Sequence, residues 1–377
     1  MVEQPRVIIC IPIYNDQDML PRCLSALSVQ TMSRAFEVLL FLNNCTDASE
    51  EIAVRMQPDL PYRLHVVVQT LPAAFANAGH VRRLAMRLAA GMVHPSGVLL
   101  TTDADGAALP DWLAVNLAEI DEGADVVAGM AVIDPADVAC VRARLAAEER
   151  DCAVLADLLD EIDWLIDPDP VDPWPRHTQR SGASIAVRAT AFAEVGGIPA
   201  TKIAEDRAFL DILRRSDASI RHSRDAQVIV SGRIRGRAEG GMADTLRRRS
   251  RRPDAWLDPV VEPPQDRLRR ARARRLFRAL REEPASGGLL QDASDALRVP
   301  AEAVAAALAH PGFGGGWAYL EAASPILRPR LVRTRDLARM IALARVVVQD
   351  LSAGRTEDRH SPHSGTGECG HLALAAE

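Results

Sequence analysis

Over the first 130 residues, short apolar runs alternate with stretches in which apolar residues recur every three or four positions. The runs 7–13, 36–42, 64–68 and 98–101 are too short and too rich in Val, Ile and Leu for helices, so they are read as strands, with 125–132 a fifth. Between the first two runs, Leu20, Cys23, Leu24 and Leu27 keep helical spacing, with Asn15 or Asp16 as the expected cap. Asp47 followed by Glu50 reads as a capping box for a second helix, with Thr46 as a competing cap. Pro110 suits the first turn of a helix through Leu113 and Leu117. Strands alternating with helices predict an α/β fold built on a mainly parallel sheet.

Further along, 135–166 reads as one or two helices ending at Pro168, Pro170, Pro173 and Pro175. A strand-like run at 183–187, a helix to Val195, the Gly196-Gly197 break, a helix opening near Glu205 and an apolar run at 228–230 follow. After about residue 236 the alternation gives way to helical patterning, clearest at 289–309 and 335–351. The expected division is a domain at 1–235, with halves 1–130 and 131–235, a helical Arg-rich extension at 236–351, and a disordered tail at 352–377 rich in Ser, Gly and His.

Composition narrows the class. The chain has 377 residues, 48% hydrophobic and 25% charged, which is globular. No run reaches the ~18 apolar residues of a membrane span, and the apolar stretch 7–14 follows no basic segment of a secretory signal. Six cysteines (Cys10, Cys23, Cys45, Cys140, Cys152, Cys369) form no C-x-x-C pair, which predicts a reduced cytoplasmic protein. The net charge of −6 and an aromatic content of 4% argue against nucleic acid as a partner. Charge is uneven: 233–281 holds sixteen Arg and six acids, a balance of +10 that leaves −16 for the remainder.

Asp-x-Asp occurs at 16/18, 103/105 and 167/169, and only the 103/105 pair directly follows an apolar strand-like run. Ligands of parallel α/β sheets bind beyond the carboxyl ends of strands, so Asp103 and Asp105 are the candidates for a hard divalent cation on a diphosphate. A capped turn is the competing explanation. Glu205 and Asp206 open a predicted helix, where Asp206 is the candidate general base and first-turn acids are the alternative. Arg83, at the start of the helix through Leu84, Leu88 and Met92, is preferred over Arg82 for reaching a diphosphate.

The ordered set Ile11-Pro12-Ile13-Tyr14-Asn15, Asn44-Cys45-Thr46-Asp47, Asp103-Ala104-Asp105-Gly106 running on to Pro110-Asp111-Trp112-Leu113, and Ala204-Glu205-Asp206 resembles family-two glycosyltransferases over about residues 5–232. The resemblance implies a glycosyltransferase A-type fold, with a Rossmann-like nucleotide-binding half and an acceptor half. It implies an inverting, Mg²⁺- or Mn²⁺-dependent transfer from a nucleotide-diphosphate sugar to an acceptor hydroxyl, in polysaccharide or glycolipid synthesis. By correspondence Pro12 and Tyr14 flank the base, Asp103 the ribose or sugar, Asp103 and Asp105 the metal, with Glu205 and Asp206 catalytic. Where many relatives carry an acid at the end of the second strand, Leu42 precedes Asn43 and Asn44, which the resemblance places at the nucleotide sugar but which leave UDP or GDP open. Where many place a metal-binding histidine, Ser231-Gly232-Arg233 stands, with Ser231 and Arg233 as secondary candidates. A non-catalytic nucleotide-sugar-binding scaffold and a sugar-phosphate nucleotidyltransferase are the alternatives, the latter disfavoured because Ile13-Tyr14-Asn15-Asp16 is not a Gly-rich phosphate loop.

Two explanations compete for the arginines. Residues 267–281 interleave Arg with Leu268, Leu276, Phe277 and Leu280 in a basic amphipathic pattern, which suits peripheral contact of 245–281 with an anionic membrane at its inner face. Intramolecular packing on the acidic remainder is the other.

Overall fold

The structure is a computed structural model that describes residues 6–360 except 33, 139–142, 234–235, 237–240, 253 and 283–286. Its strands are β1 (Val7–Ile13), β2 (Glu37–Asn43), β3 (Arg63–Gln69), β4 (Val98–Thr101), β5 (Gly106–Ala108), β6 (Val126–Ile133), β7 (Ile185–Arg188) and β8 (Ile220–Val230). Its helices are α1 (Leu20–Ser28), α2 (Ser49–Met56), α3 (Ala78–Met92), α4 (Trp112–Asp121), α5 (Pro135–Val138), α6 (Ala143–Ile166), α7 (Ala189–Glu194) and α8 (Glu205–Arg215). They continue with α9 (Met242–Arg251), α10 (Pro264–Glu282), α11 (Gly287–Leu297), α12 (Ala301–Leu308), α13 (Phe313–Ala323) and α14 (Leu337–His360). The chain divides into two compact units. The first takes Met1–Ala146, Gln179–Arg214 and Ala218–Pro253, and the second Ala147–Thr178, Arg215–Asp217 and Asp254–Glu377.

The first unit is a mixed α/β sheet ordered β3-β2-β1-β4-β7-β6-β8-β5. Strands β3, β2, β1 and β4 are parallel, with Ile8 beside Glu37 and Leu99. β7 then runs antiparallel to β4 and β6, β6 pairs in parallel with β8, and β5 closes the edge antiparallel. β1 is central and covered on both faces, which is why Ile8, Ile9, Cys10 and Ile11 form an unbroken apolar run with no exposure. One face packs Ile8, Cys10, Leu39 and Phe41 under Val81, Ala85, Met86 and Ala89 of α3. Phe209, Leu210 and Leu213 of α8 join the same cluster, each burying on the order of 2 kcal/mol of apolar surface.

Several expectations shift. β8 begins eight residues before the apolar run at 228–230, because Arg221 and Ser223 are polar residues on buried positions and hide the strand's alternation. The two expected caps act differently: Asp16 receives the Met19 and Leu20 N–H groups on its carbonyl, whereas the Asp47 carboxylate accepts the Ser49 N–H at the start of α2 at 3.1 Å and the Gln17 N–H at 3.0 Å. Pro300 splits the expected helix 289–309 into α11 and α12, and the glycine-rich start of α13 concealed that helix from its pattern. α14 continues to His360, so 352–360 of the expected tail is helical. Residues 361–377, Cys140 and Cys369 lie outside the described residues.

The second unit buries two apolar clusters. One joins Phe277, Leu297, Val304, Trp317 and Leu320, the other Leu155, Leu159 and Ile162 with Leu257, Val332 and Ile341. The α10 arginines are engaged inside it. Arg267 pairs with Asp160, Asp163 and Glu262, Arg270 with Glu262 and Glu321, and Arg274 and Arg278 with Asp167. Burial alone would raise the Asp167 carboxyl, but Arg278 and Arg274 outweigh it and hold it below the usual aspartate value. Intramolecular packing thus accounts for the basic pattern at 267–278. No helix among the described residues is long and apolar enough to cross a membrane.

Candidate active site

The sequence-predicted residues gather beyond the carboxyl ends of β1, β2 and β4, with the starts of α3 and α8 beside them. The turns after β1 and β2 are stitched together: Asn15 Oδ1 accepts the Thr46 and Asp47 N–H groups at 2.7 and 3.3 Å. Asn15 and Asn44 both take φ of 51°, a left-handed conformation that Asn tolerates better than most residues. Pro12 is half-buried, and Tyr14 is 46% exposed. Asn43 is buried, and its Oδ1 has no partner among the described residues. Asn44, expected at the nucleotide, uses both ends of its amide on the Leu71 backbone and so holds the loop after β3.

At the centre is Arg82, its side chain 6% exposed. Its Nη2 donates to Asp103 Oδ1 at 2.5 Å, its Nε to Glu205 Oε1 at 3.0 Å, and its Nη1 to Thr101 Oγ1 at 2.7 Å and the Gly182 carbonyl at 3.0 Å. Burial opposes its charge, but Asp103 and Glu205 more than compensate and raise its pKa above the ordinary arginine value. Two glycines make room. A Cβ on Gly182 would lie 2.7 Å from Arg82 Cζ, and one on Gly79 would lie 2.4 Å from the Thr201 carbonyl oxygen and 3.2 Å from Glu205 Cβ.

Asp105 faces a second guanidinium. Arg233 Nη2 lies 2.9 Å from Asp105 Oδ2, and its Nη1 donates to Asp16 Oδ1 at 2.9 Å. Burial pushes the Asp105 carboxyl up to about 6; Asp103 and Asp16 add to the rise and Arg233 opposes it. Arg233 is placed by the turn after β8, where Ser231 Oγ and Gly232 N–H donate to Asp137 at 3.3 and 2.8 Å.

Asp206 is half-buried in the first turn of α8. Its Oδ2 accepts Gly182 N–H and its Oδ1 accepts Arg207 N–H, each at 2.8 Å. Ala204, immediately before the helix, sits at φ of 57°, a strained position for a residue with a Cβ. Gly182 therefore receives Arg82 on its carbonyl and gives its N–H to Asp206, which ties the two ends of the site together.

Residues 8–148 match glycosyl transferase family 2. That span contains Asp16, Arg82, Asp103 and Asp105; Glu205, Asp206 and Arg233 lie beyond it and join the site through the fold. The undecaprenyl-phosphate 4-deoxy-4-formamido-L-arabinose transferase of Salmonella choleraesuis (strain SC-B67) is 30% identical over 125 residues, 32% of this chain and 36% of that protein. The enzyme of that name from Salmonella newport (strain SL254) is 29% identical over 125 residues, again 36% of its length. The chain thus spans about a third of the curated relatives it matches. Among solved structures, S. aureus TarS 1–349 in complex with UDP-GlcNAc aligns over 93% of this chain and 92% of its own, at 15% identity and a TM-score of 0.44. The mannosyltransferase PcManGT from Pyrobaculum calidifontis, in complex with GDP-Man and Mn²⁺, aligns over 96% and 89%, at 16% identity and a TM-score of 0.40.

The family 2 span and the residues beyond it bring Asp103, Glu205 and Asp206 together around Arg82 and Gly182, and Asp105 to Arg233. Arg83, the preferred basic residue, instead donates from Nε to the Ile198 carbonyl at 3.0 Å. The signal for Arg82 was its place on the buried stripe of α3 with Val81, Ala85, Met86 and Ala89. An arginine on a core stripe demands a buried partner. No group of three or more His, Cys, Asp or Glu among the described residues is arranged to hold a metal by itself.

Proposed function

We propose that the first unit is an inverting glycosyltransferase that moves a sugar from a nucleotide-diphosphate sugar, of UDP or GDP type, to an acceptor hydroxyl. The observation that carries this reading is the Arg82 bridge, which joins Asp103 at the end of β4 to Glu205 beside Asp206. The family 2 match over 8–148 supports the donor class. Pro12, Tyr14 and Asn43 border the base, Asp103 the ribose or sugar, and Arg82 takes the place expected of Arg83 at the start of α3. Helices α10 to α14, which belong to the second unit, form an extension rather than part of the catalytic machinery.

A divalent ion, Mg²⁺ or Mn²⁺, suits Asp103 and Asp105. Asp16, Asp103, Asp105, Glu205 and Asp206 outnumber Arg82 and Arg233, so a diphosphate entering here needs added positive charge. Such ions are commonly held by one or two carboxylates with substrate phosphates and water completing the shell, which fits a site lacking a third carboxylate ligand. When bound, the ion would neutralise charge on the leaving diphosphate. Asp206 takes the proton of the attacking hydroxyl, its carboxylate aimed by the Gly182 and Arg207 N–H groups. Attack opposite the leaving group in one step inverts the anomeric carbon. Glu205, locked to Arg82, orients the helix that carries Asp206.

A second reading follows from the relatives' names, which specify undecaprenyl phosphate. If the acceptor is a polyprenyl phosphate, its attacking oxygen is already anionic and needs no base. Both readings fit a peripheral protein at the cytoplasmic face of a membrane.

The deciding experiment presents a panel of nucleotide sugars with Mn²⁺ or Mg²⁺ and follows nucleoside diphosphate release and transfer in the parent and in Asp206→Asn. The hydroxyl-acceptor reading expects unchanged donor affinity and a transfer loss on the order of a hundred- to ten-thousand-fold. Retained transfer to a polyprenyl phosphate selects the second reading. Donor binding without release would mean a binding scaffold, and a product that keeps the donor's anomeric configuration would refute single-step inversion.

A further inference from the structure

Within the second unit, uncompensated positive charge lies outside α10. Residues 328–339 contain Arg328, Arg330, Arg333, Arg335 and Arg339 against one acid, Asp336. Arg330 is bonded to Asp266 at 2.5 and 2.7 Å, and Arg335 lies 4.0 Å from Asp336. Arg328, Arg333 and Arg339 are exposed and make no ion pair among the described residues.

Two apolar side chains share this surface on a fixed framework. Leu257 N–H donates to the Val332 carbonyl at 2.9 Å and Thr334 N–H to the Ala255 carbonyl at 3.1 Å, and Trp256 pairs with Arg333 in an antiparallel bridge. Leu257 and Val332 are buried, so the alternation of extended chain turns their neighbours Trp256, Leu331 and Arg333 outward. Trp256 is 44% and Leu331 46% exposed, and both line a groove of about 590 Å³ with Arg269, Arg330, Arg333 and Arg339. The Arg333 guanidinium carbon lies 4.6 Å from the Trp256 ring centroid.

We propose that this patch docks the protein on an anionic lipid bilayer, with Trp256 and Leu331 entering the headgroup layer and Arg328, Arg333 and Arg339 meeting lipid phosphates. The inference rests on the peripheral-membrane part of the proposed function and moves the contact from 267–281 to 328–339 with Trp256. Charge complementarity carries it. Arg333 and Arg339 line the groove beside the exposed Trp256 and Leu331, Arg328 is exposed in the same segment, and none of the three has a carboxylate partner among the described residues. Tryptophan favours the headgroup level of a bilayer. Single-stranded nucleic acid fits less well, because Arg333 already covers one face of the patch's tryptophan, whereas stacking platforms offer open faces to successive bases.

The test is co-sedimentation of the full chain with vesicles of phosphatidylcholine alone and of an equal mixture with phosphatidylglycerol, without donor or acceptor. The parent should bind only the acidic vesicles and be released at ~1 M salt, where the Debye length is about 3 Å. Each basic residue near an acidic surface contributes about fivefold to partitioning, so Arg328→Gln with Arg339→Gln should weaken binding about 25-fold. Arg345→Gln, an exposed arginine of α14 outside the groove, should change it less than about twofold. Equal binding to neutral vesicles, no binding to acidic ones, or an equal loss in Arg345→Gln would overturn the proposal. So would retention of a single-stranded RNA oligonucleotide in place of vesicles. Donor hydrolysis in free solution, measured on the same variants, should match the parent, so failure of docking and failure of the transferase reading register separately.

Discussion

Replacing Arg82 by Met keeps a comparable apolar stem but removes the charge from between Asp103 and Glu205. Stripping one partner from a buried ion pair costs ~3–5 kcal/mol. The Glu205 side chain, 9% exposed, bears most of that cost, while Asp103, at 36%, faces enough water to screen its share. A loss of ~3 kcal/mol is therefore expected, and in a unit of this size that lowers the thermal midpoint by roughly 6–12 °C. Thermal unfolding of parent, Arg82→Met and Arg82→Lys at neutral pH is the assay, with Arg82→Lys intermediate because an ammonium keeps the charge but loses the fork. A midpoint for Arg82→Met within ~1 °C of the parent would refute the reasoning, because it would mean that the bridge contributes nothing.

Gly79→Ala would press a methyl against the Thr201 carbonyl, so we expect a cost of ~1–3 kcal/mol and a displaced Glu205–Asp206 turn, read as slower transfer by a still-folded protein. Asp105→Ala should abolish the strengthening of donor binding by divalent metal in calorimetry; metal-enhanced binding that persists would discard the Asp105 assignment. Asp167→Asn leaves Arg274 and Arg278 without their carboxylate and should destabilise by ~2 kcal/mol at neutral pH in urea unfolding. Because the Asp167 carboxyl is held below its ordinary value, its contribution is full above about pH 4 and disappears as pH falls through the lower folded value. The variant's deficit should therefore close in acid.

Legibility followed how uniformly each residue's surroundings matched its chemistry. β1 and β4 were plain because Val7–Ile11, Ile13 and Val98–Leu100 are all buried apolar side chains. β8 was three-quarters hidden, since a strand that buries Arg221 and Ser223 has no apolar alternation to read. The Asp103–Asp105 pair was legible from its place after a strand, and Glu205–Asp206 from the order of motifs. Their connection was not. Arg82 and Arg83 are adjacent and chemically alike, and only the 100° step of a helix separates a core-facing position from one that reaches Ile198. Arg233 stands just after the apolar run 228–230, and its pairing with Asp16 across 217 residues has no local trace.

The position of β4 also governs how the molecule can be made. Its strand neighbours are β1, synthesised long before it, and β7, which leaves the ribosome about 85 residues later. During those seconds the nascent sheet ends in Val98–Thr101, a short apolar edge with one row of backbone groups unpaired. The chain must meanwhile emit β5, β6, α6 and the proline-rich segment before Ile185–Arg188 can cover that edge. Until β7 arrives, that edge is open to pairing with another copy of itself. A substitution that weakens β7 would appear first as aggregated nascent chains, with the molecules that escape folding to full activity.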